Sequence, residues 1–151
     1  MRYKVAFDAR AAQKQGTGVG TYTREIVENF SMFSKIYEFM FILNPDHPYE
    51  DIVFPENSQF LMTSVKRNSF FIKKDIWDQI QLPNFLKKHD IDLYHNPDYM
   101  TTMFNVPYIN VVTFHDGIVF TEHDDRAWIK RARLQYLFKK IARNADAIVT
   151  V

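Results

Sequence analysis

Four short segments of this chain carry residue types that do chemistry in combination. His115-Asp116 joins an imidazole, which titrates near neutrality, to a carboxylate able to orient it or to hold a substrate hydroxyl. Gly16-Thr17-Gly18-Val19-Gly20 places three glycines in five residues, with Tyr22 two positions on. Bare backbone of this kind can come close to a ligand that side chains would hold off. Where it opens a helix, its unpaired N–H groups point at whatever sits there, which suits a phosphate or diphosphate. Asp8-Ala9-Arg10 and His95-Asn96 complete the set, each at the end of an apolar run.

These segments act together only if the fold brings them to one edge. Residues 3–7 read as a short strand that stops at Asp8. Residues 9–18 form a polar loop. From 19 to 33 Val19, Tyr22, Ile26, Phe30 and Phe33 recur at helical spacing. Strands are expected at 38–43, closed by Asn44-Pro45, and at 59–63, with a proline-rich acidic loop over 45–58 between them. A helix over 76–89 turns Ile76, Ile80, Phe85 and Leu86 inward, with a kink or break at Pro83. Further strands follow at 91–95 and 108–114. The second is a nearly continuous apolar run, as in a strand buried on both faces. A helix over 127–143 and a strand from 147 complete the pattern. Strands alternating with helices predict an α/β fold: a Rossmann-like open, mostly parallel sheet with helices on both faces. In such sheets ligands bind beyond the carboxyl ends of the strands, where all four segments fall.

The look-alikes separate on spacing. A dinucleotide fingerprint needs Gly-x-Gly-x-x-Gly directly after the strand. Here Thr21 stands at the third glycine, and the gap from Phe7 to Gly16 is too long for that turn. The Gly-Lys-Ser/Thr of a P-loop and the Gly-x-Ser-x-Gly of a hydrolase are both missing. A mobile loop tip is the alternative to an anion site. It is less favoured, because Val19 and Tyr22 resume helical periodicity at once. His115-Asp116 keeps three readings: a functional pair, a turn in which Asp116 caps the backbone, or a metal pair. No other His/Asp cluster has ligand spacing, so no metal is expected.

Composition narrows the classes further. Of 151 residues, 46% are apolar, enough for one folded domain. The absence of cysteine excludes disulfides and thiolate metal sites and fits a cytoplasmic location. Asp8 and Arg10 interrupt any leader-like N-terminal stretch, and runs such as 39–43 are too short to span a bilayer. A net charge of +1 gives no footprint for nucleic acid. The charge is nevertheless uneven. Arg126, Lys130, Arg131, Arg133, Lys139, Lys140 and Arg143 follow one another without an acid, interleaved with Trp128, Ile129 and four further apolar residues. Lys66, Arg67, Lys73 and Lys74 flank Phe70-Phe71, and acids gather at 46–51 and 122–125. A solvated face on a core-packing helix is one reading of the basic stretch. Peripheral contact with the anionic inner face of a membrane is the other. The chain stops in the apolar strand Ala147-Ile148-Val149-Thr150-Val151, so a fragment of a longer protein is expected.

In order along the chain, Asp8-x-Arg10, Gly16-Thr17-Gly18-Val19-Gly20-Thr21-Tyr22, His95-Asn96-Pro97, Val111-Val112-Thr113-Phe114-His115-Asp116 and Ala145-Asp146-Ala147-Ile148-Val149-Thr150-Val151 resemble the N-terminal domain of retaining glycosyltransferases of the GT-B fold, glycosyltransferase family 4 (group 1). The resemblance covers nearly the whole chain. It implies that residues 1–151 form the acceptor-side domain of an enzyme that moves a sugar from a nucleotide-sugar to a sugar or lipid-linked acceptor, with retention and without a metal. The C-terminal domain that binds most of the donor is absent, so the chain alone is expected to be inactive or nearly so. By position, His115 and Asp116 would be the catalytic pair. Gly16, Thr17, Gly18, Val19 and Gly20 would meet the donor diphosphate, and Arg10, Tyr22, His95 and Asn96 would line the acceptor side. The competing class is a non-catalytic Rossmann-like module that grips a phosphorylated ligand or a protein partner. A nicotinamide or flavin oxidoreductase domain is disfavoured by the glycine spacing.

Overall fold

Alternation along the first strand sets the layers of the molecule. In β1 (Tyr3–Asp8), Val5 and Phe7 face one side of the sheet while Ala6 and Asp8 face the other. The computed structural model describes residues 2–14, 16–65, 71–121 and 126–151. Lys66, Arg67 and Phe70 of the central basic cluster, and the acids of 122–125, lie outside the described residues.

Five more strands join β1: β2 (Tyr37–Leu43), β3 (Gln59–Met62), β4 (Leu93–Asn96), β5 (Ile109–Phe114) and β6 (Ala147–Thr150). They form one sheet in the order β3-β2-β1-β4-β5-β6, and every pairing is parallel. The chain therefore builds outward from β1 to β3, returns across the sheet and builds outward again from β4 to β6. The direction reverses between β1 and β4, which opens a crevice at their carboxyl ends. The fold is an α/β, Rossmann-like open sheet with helices on both faces.

Helix α1 (Gly18–Asn29), extended by a 3-10 turn over Phe30–Phe33, covers the face that carries Val5, Phe7, Phe39 and Phe41. The opposite face packs Ala6, Met40, Ile42 and Tyr94 against a π-helical turn (Trp77–Gln81) and α3 (Leu82–Lys88), which follow α2 (Phe71–Ile76). Helix α4 (Trp128–Asn144) lies on that same face, where Leu137 and Ile141 meet Val112 of β5. Beyond β4, the α1 face carries no helix among the described residues. Ile109 is accordingly half exposed, and β5 is not buried on both faces as its apolar run predicts.

The second helical region departs from its predicted phase. Helix begins at Phe71, and the stretch preceding Pro83 widens into the π turn. A π turn takes in one extra residue, which rotates the following side chains by roughly one residue's turn, about 100°. Ile76, before the turn, and Ile80, within it, are exposed, while Trp77, Asp78, Gln79, Leu82 and Leu86 are buried. Pro83 falls in the first turn of α3, where its missing N–H is tolerated.

The glycine loop begins α1 as its spacing predicts. Thr17 is the N-cap, and its Oγ1 accepts from the Gly20 N–H at 3.0 Å. Gly16 takes φ +73°, a conformation that side chains disfavour. Gly20 serves close packing: a Cβ there would meet the Lys14 carbonyl and come within 2.7 Å of Thr17 Oγ1, whereas at Gly18 it would meet nothing. Gly20→Ala is therefore expected to cost about 2–3 kcal/mol in urea unfolding, in the range of overpacked sites. Gly18→Ala should be neutral or mildly stabilising. Equal effects at the two positions would contradict this packing.

Candidate functional site

Asp8 ends β1 with its carboxylate buried on the α3 face, and a buried charge must be met by partners. Arg10, two residues on, supplies a planar fork: Nε donates to Asp8 Oδ1 at 2.9 Å and Nη2 to Oδ2 at 2.5 Å. The same Nη2 donates to Asp78 Oδ1 at 2.7 Å, which ties the π turn to the end of β1. From β4, the Tyr94 hydroxyl donates to Asp8 Oδ2 at 3.2 Å and Asn96 Nδ2 donates to it at 3.1 Å. Asn96 Nδ2 also donates to the Met100 carbonyl at 2.6 Å, so one side chain anchors the segment after β4. One carboxylate thus joins three chain segments at the crevice between β1 and β4.

Burial shapes the titration of this group. Asp78 is pushed up to about 6 by burial, against the opposing pull of the Arg10 guanidinium. Burial acts to lower Arg10, yet Asp8 and Asp78 outweigh it and hold the guanidinium firmly protonated. The Tyr94 hydroxyl is raised by burial and then by Asp8, so it stays a donor.

Beside this network lies a cavity of about 410 Å³. Its wall includes Asp8, Arg10, Asp78 and Asn96, together with Lys14, Asn44, His47, Thr63, Lys74 and Asp98. Gln13 holds the rim in shape: its amide donates to the carbonyls of Asn44 and His47, at 2.9 Å each, and accepts from the Asn44 N–H at 2.7 Å. The Asp98 N–H donates to Asn96 Oδ1 at 2.7 Å. The next residue, Tyr99, takes φ +33°, an uncommon conformation for a bulky side chain. It is held by a 3.0 Å bond from its N–H to the Thr113 carbonyl and by its ring against Phe138. Burial raises the Asp98 carboxyl above the usual range; Lys14 and His115 pull the other way. Asp98 therefore stands electrostatically between the cavity and the rim of β5.

At that rim, His115 Nε2 lies 2.7 Å from the Pro97 carbonyl. A carbonyl only accepts, so Nε2 carries the proton and Nδ1 is the acceptor in the neutral ring. The Tyr22 ring meets the imidazole edge-on, with centroids 5.0 Å apart. Tyr22 lies one turn into α1, so the helix start and the strand-five imidazole share one rim. Thr17 satisfies the Gly20 N–H, which leaves those of Gly18 and Val19 without a partner among the described residues.

The predicted site residues thus divide. Arg10 and Asn96 meet in the charge network and line the cavity. Tyr22, His115 and the 16–20 loop gather on the neighbouring rim. His95 does not accompany Asn96, because successive residues of a strand point to opposite faces. Its ring lies on the α1 face, edge-on to Phe7 and 2.9 Å from Thr113 Oγ1. Asp116 does not touch His115 within hydrogen-bond reach; it accepts from the Ile118 N–H at 3.0 Å and closes the turn after β5. The turn-cap reading of Asp116 describes its geometry. Asp78, Tyr94, Asp98 and Lys14 escaped the sequence reading. For Asp98 the Asn96-Pro97-Asp98 turn is the one local signal, and it reads only as a strand stop. Among the described residues no group of His, Asp and Glu could hold a metal ion. The chain matches no protein-family model, and no curated protein matches it.

Buried Asp78 and partly buried His95 give opposite pH slopes. Desolvation pulls His95 down to about 4, so the unfolded chain binds the proton first, and His95 costs stability as pH falls from 6.5 towards 4. Asp78 is raised, so the native state binds the proton first, and stability falls as pH rises through about 6. Each effect is on the order of 3 kcal/mol over its full range, at about 1.4 kcal/mol per pKa unit. Urea melts at pH 4.5 and 7 should show the parent gaining more stability with pH than His95→Gln, and less than Asp78→Asn. Parallel profiles would contradict the desolvation of both groups.

Proposed function

We propose that this chain is the acceptor-side domain of a retaining glycosyltransferase of the GT-B type. The observation that carries the reading is the shared carboxyl edge: a polar cavity at the β1–β4 crevice adjoins a rim where an imidazole and a glycine-opened helix start lie together. Carboxylates, amides and a guanidinium lining one cavity suit a ligand rich in hydroxyls, since each can accept from or donate to a sugar OH in fixed geometry. In this reading Asp98, Asn44, Thr63 and Arg10 face the acceptor. The Asp8 network keeps that wall rigid, so little ordering is left to the binding step.

The rim supplies the electrostatics. Departure of a nucleoside diphosphate builds negative charge on its oxygens. The N–H groups of Gly18 and Val19, which have no partner among the described residues, lie at the positive end of α1 and stabilise charge placed there. His115, held by Pro97 and Tyr22, offers Nδ1 to a hydroxyl of the transferred sugar. Retention, the donor's identity and the second domain that holds most of the donor rest on the resemblance of the motifs. A non-catalytic module for a phosphorylated ligand uses the same N–H groups but needs no hydroxyl-binding cavity.

Amide NMR of the isolated chain separates the readings. A nucleoside diphosphate should shift Gly18 and Val19, simple oligosaccharides should shift Asn96, Asp98 and Met100, and no transfer should follow. Asp98→Asn should weaken saccharide binding roughly tenfold, the loss of about one charged hydrogen bond, and leave the diphosphate response intact. Shifts with the diphosphate alone would favour the binding module. No shift with either ligand would overturn the proposal.

A further inference from the structure

The cavity at the carboxyl edge is not uniform in charge. Its acids are Asp8 and Asp78, which share the Arg10 guanidinium, and Asp98 on the segment after β4. Its other cations come from elsewhere in the chain. Lys14 lies in the loop after β1, next to the Gln13 that clasps Asn44 and His47. Lys74 lies on α2, which follows β3. Both lysines are exposed at the cavity mouth, and neither ammonium has a hydrogen-bond or ion-pair partner among the described residues. Lys14 acts electrostatically on Asp98, so it stands between that acid and the rest of the mouth.

The same part of the wall supplies neutral donors. The Oγ1 of buried Thr63 accepts from the Val65 N–H at 3.1 Å, which leaves its own hydrogen to donate. Asn44 Oδ1 accepts from the Asp46 N–H at 3.0 Å, which leaves Nδ2 as the donor. The His47 ring completes this side. With the strand order β3-β2-β1-β4, donors and cations gather beyond β2 and β3, while the carboxylates gather between β1 and β4.

We infer that the acceptor taken by this cavity is a sugar phosphate monoester. Its phosphate sits among Lys14, Asn44, His47, Thr63 and Lys74, and its hydroxyls meet Asp98. The inference deepens the acceptor-side reading and rests on it. The chemistry of the wall selects the ester over a carboxylate. A carboxylate is planar and is met best by a guanidinium fork, but the guanidinium of this wall, Arg10, is committed to two aspartates. What remains is two ammonium point charges and single donors delivered by separate chain segments. A phosphate monoester, with close to two negative charges and three outer oxygens, accepts from all of them at once. Asp98 repels that dianion, so the acid sets which way round the acceptor enters.

The test is amide NMR titration of the chain at low salt with glucose, galactose and mannose, each paired with its monophosphate esters, and with glucuronate and inorganic phosphate. At least one ester should bind about twentyfold more tightly than its parent hexose, about fivefold from each lysine, the upper range for exposed ion pairs. High salt should remove most of the gain. Lys14→Gln and Lys74→Gln should each reduce the gain about fivefold and leave the parent hexose unchanged. Both side chains are exposed, and the spectra of the free variants report whether the fold is kept. Hexose binding with no gain from any ester would overturn the inference and leave the proposed function standing. Glucuronate or inorganic phosphate bound as tightly as the best ester would overturn it too. A chain in which no saccharide or ester moves Asn96, Asp98 or Met100 would overturn the proposed function itself.

Discussion

The buried carboxylate of Asp8 is the constraint around which the carboxyl edge is organised. A carboxylate 3% exposed at the end of a central strand is largely withdrawn from bulk water, so the chain must bring it a cation and donors. Arg10 answers from the same loop, Tyr94 and Asn96 answer from the neighbouring strand, and Asp78 shares the guanidinium. Such a network adds little net stability over a well-packed apolar one, because its desolvation cost offsets most of its attraction. What it adds is position. Removing one member would leave another charge buried and unpaired, so the loop after β1, the π turn and the segment after β4 hold one arrangement.

That arrangement explains two local irregularities. Within the π turn Asp78, rather than Ile80, faces inward and reaches Arg10. The positive φ of Tyr99 follows the anchoring of Met100 and Asp98 by the Asn96 amide, and it sets Asp98 at the cavity wall. Both features are locally unfavourable. They persist where buried hydrogen bonds over-determine the backbone, which is common where a fold shapes a site.

The two clusters at this edge differ in kind. The cavity wall is charged, buried and fixed by reciprocal hydrogen bonds. The rim of His115, Tyr22 and the α1 start is more open, and the N–H groups of Gly18 and Val19 have no partner among the described residues. A ligand spanning both would find rigid hydroxyl recognition on one side and an unsatisfied positive pole on the other. Helix α1 begins at a glycine that nothing crowds, two residues before a glycine that cannot be replaced without displacing the loop.

Much was legible before any coordinates. Strand and helix periodicity, set by whether side chains must alternate or recur every three to four residues, determined the α/β class, the alternation of elements and the opening of α1 by the glycine loop. Local chemistry also put Arg10, Asn96, Tyr22 and His115 at the same sheet edge. Tertiary structure alone decided which of them meet. His95 and Asn96 are adjacent in sequence, yet the pleat sends them to opposite faces. Asp116 follows His115, yet a backbone N–H claims its carboxylate. Asp78 lies 68 residues from Arg10, and only the crossover from β3 to β4, with one extra residue wound into its helix, brings the pair within 2.7 Å. Sequence records local preference. The partner of a buried charge is set by which distant segment the packing delivers to it.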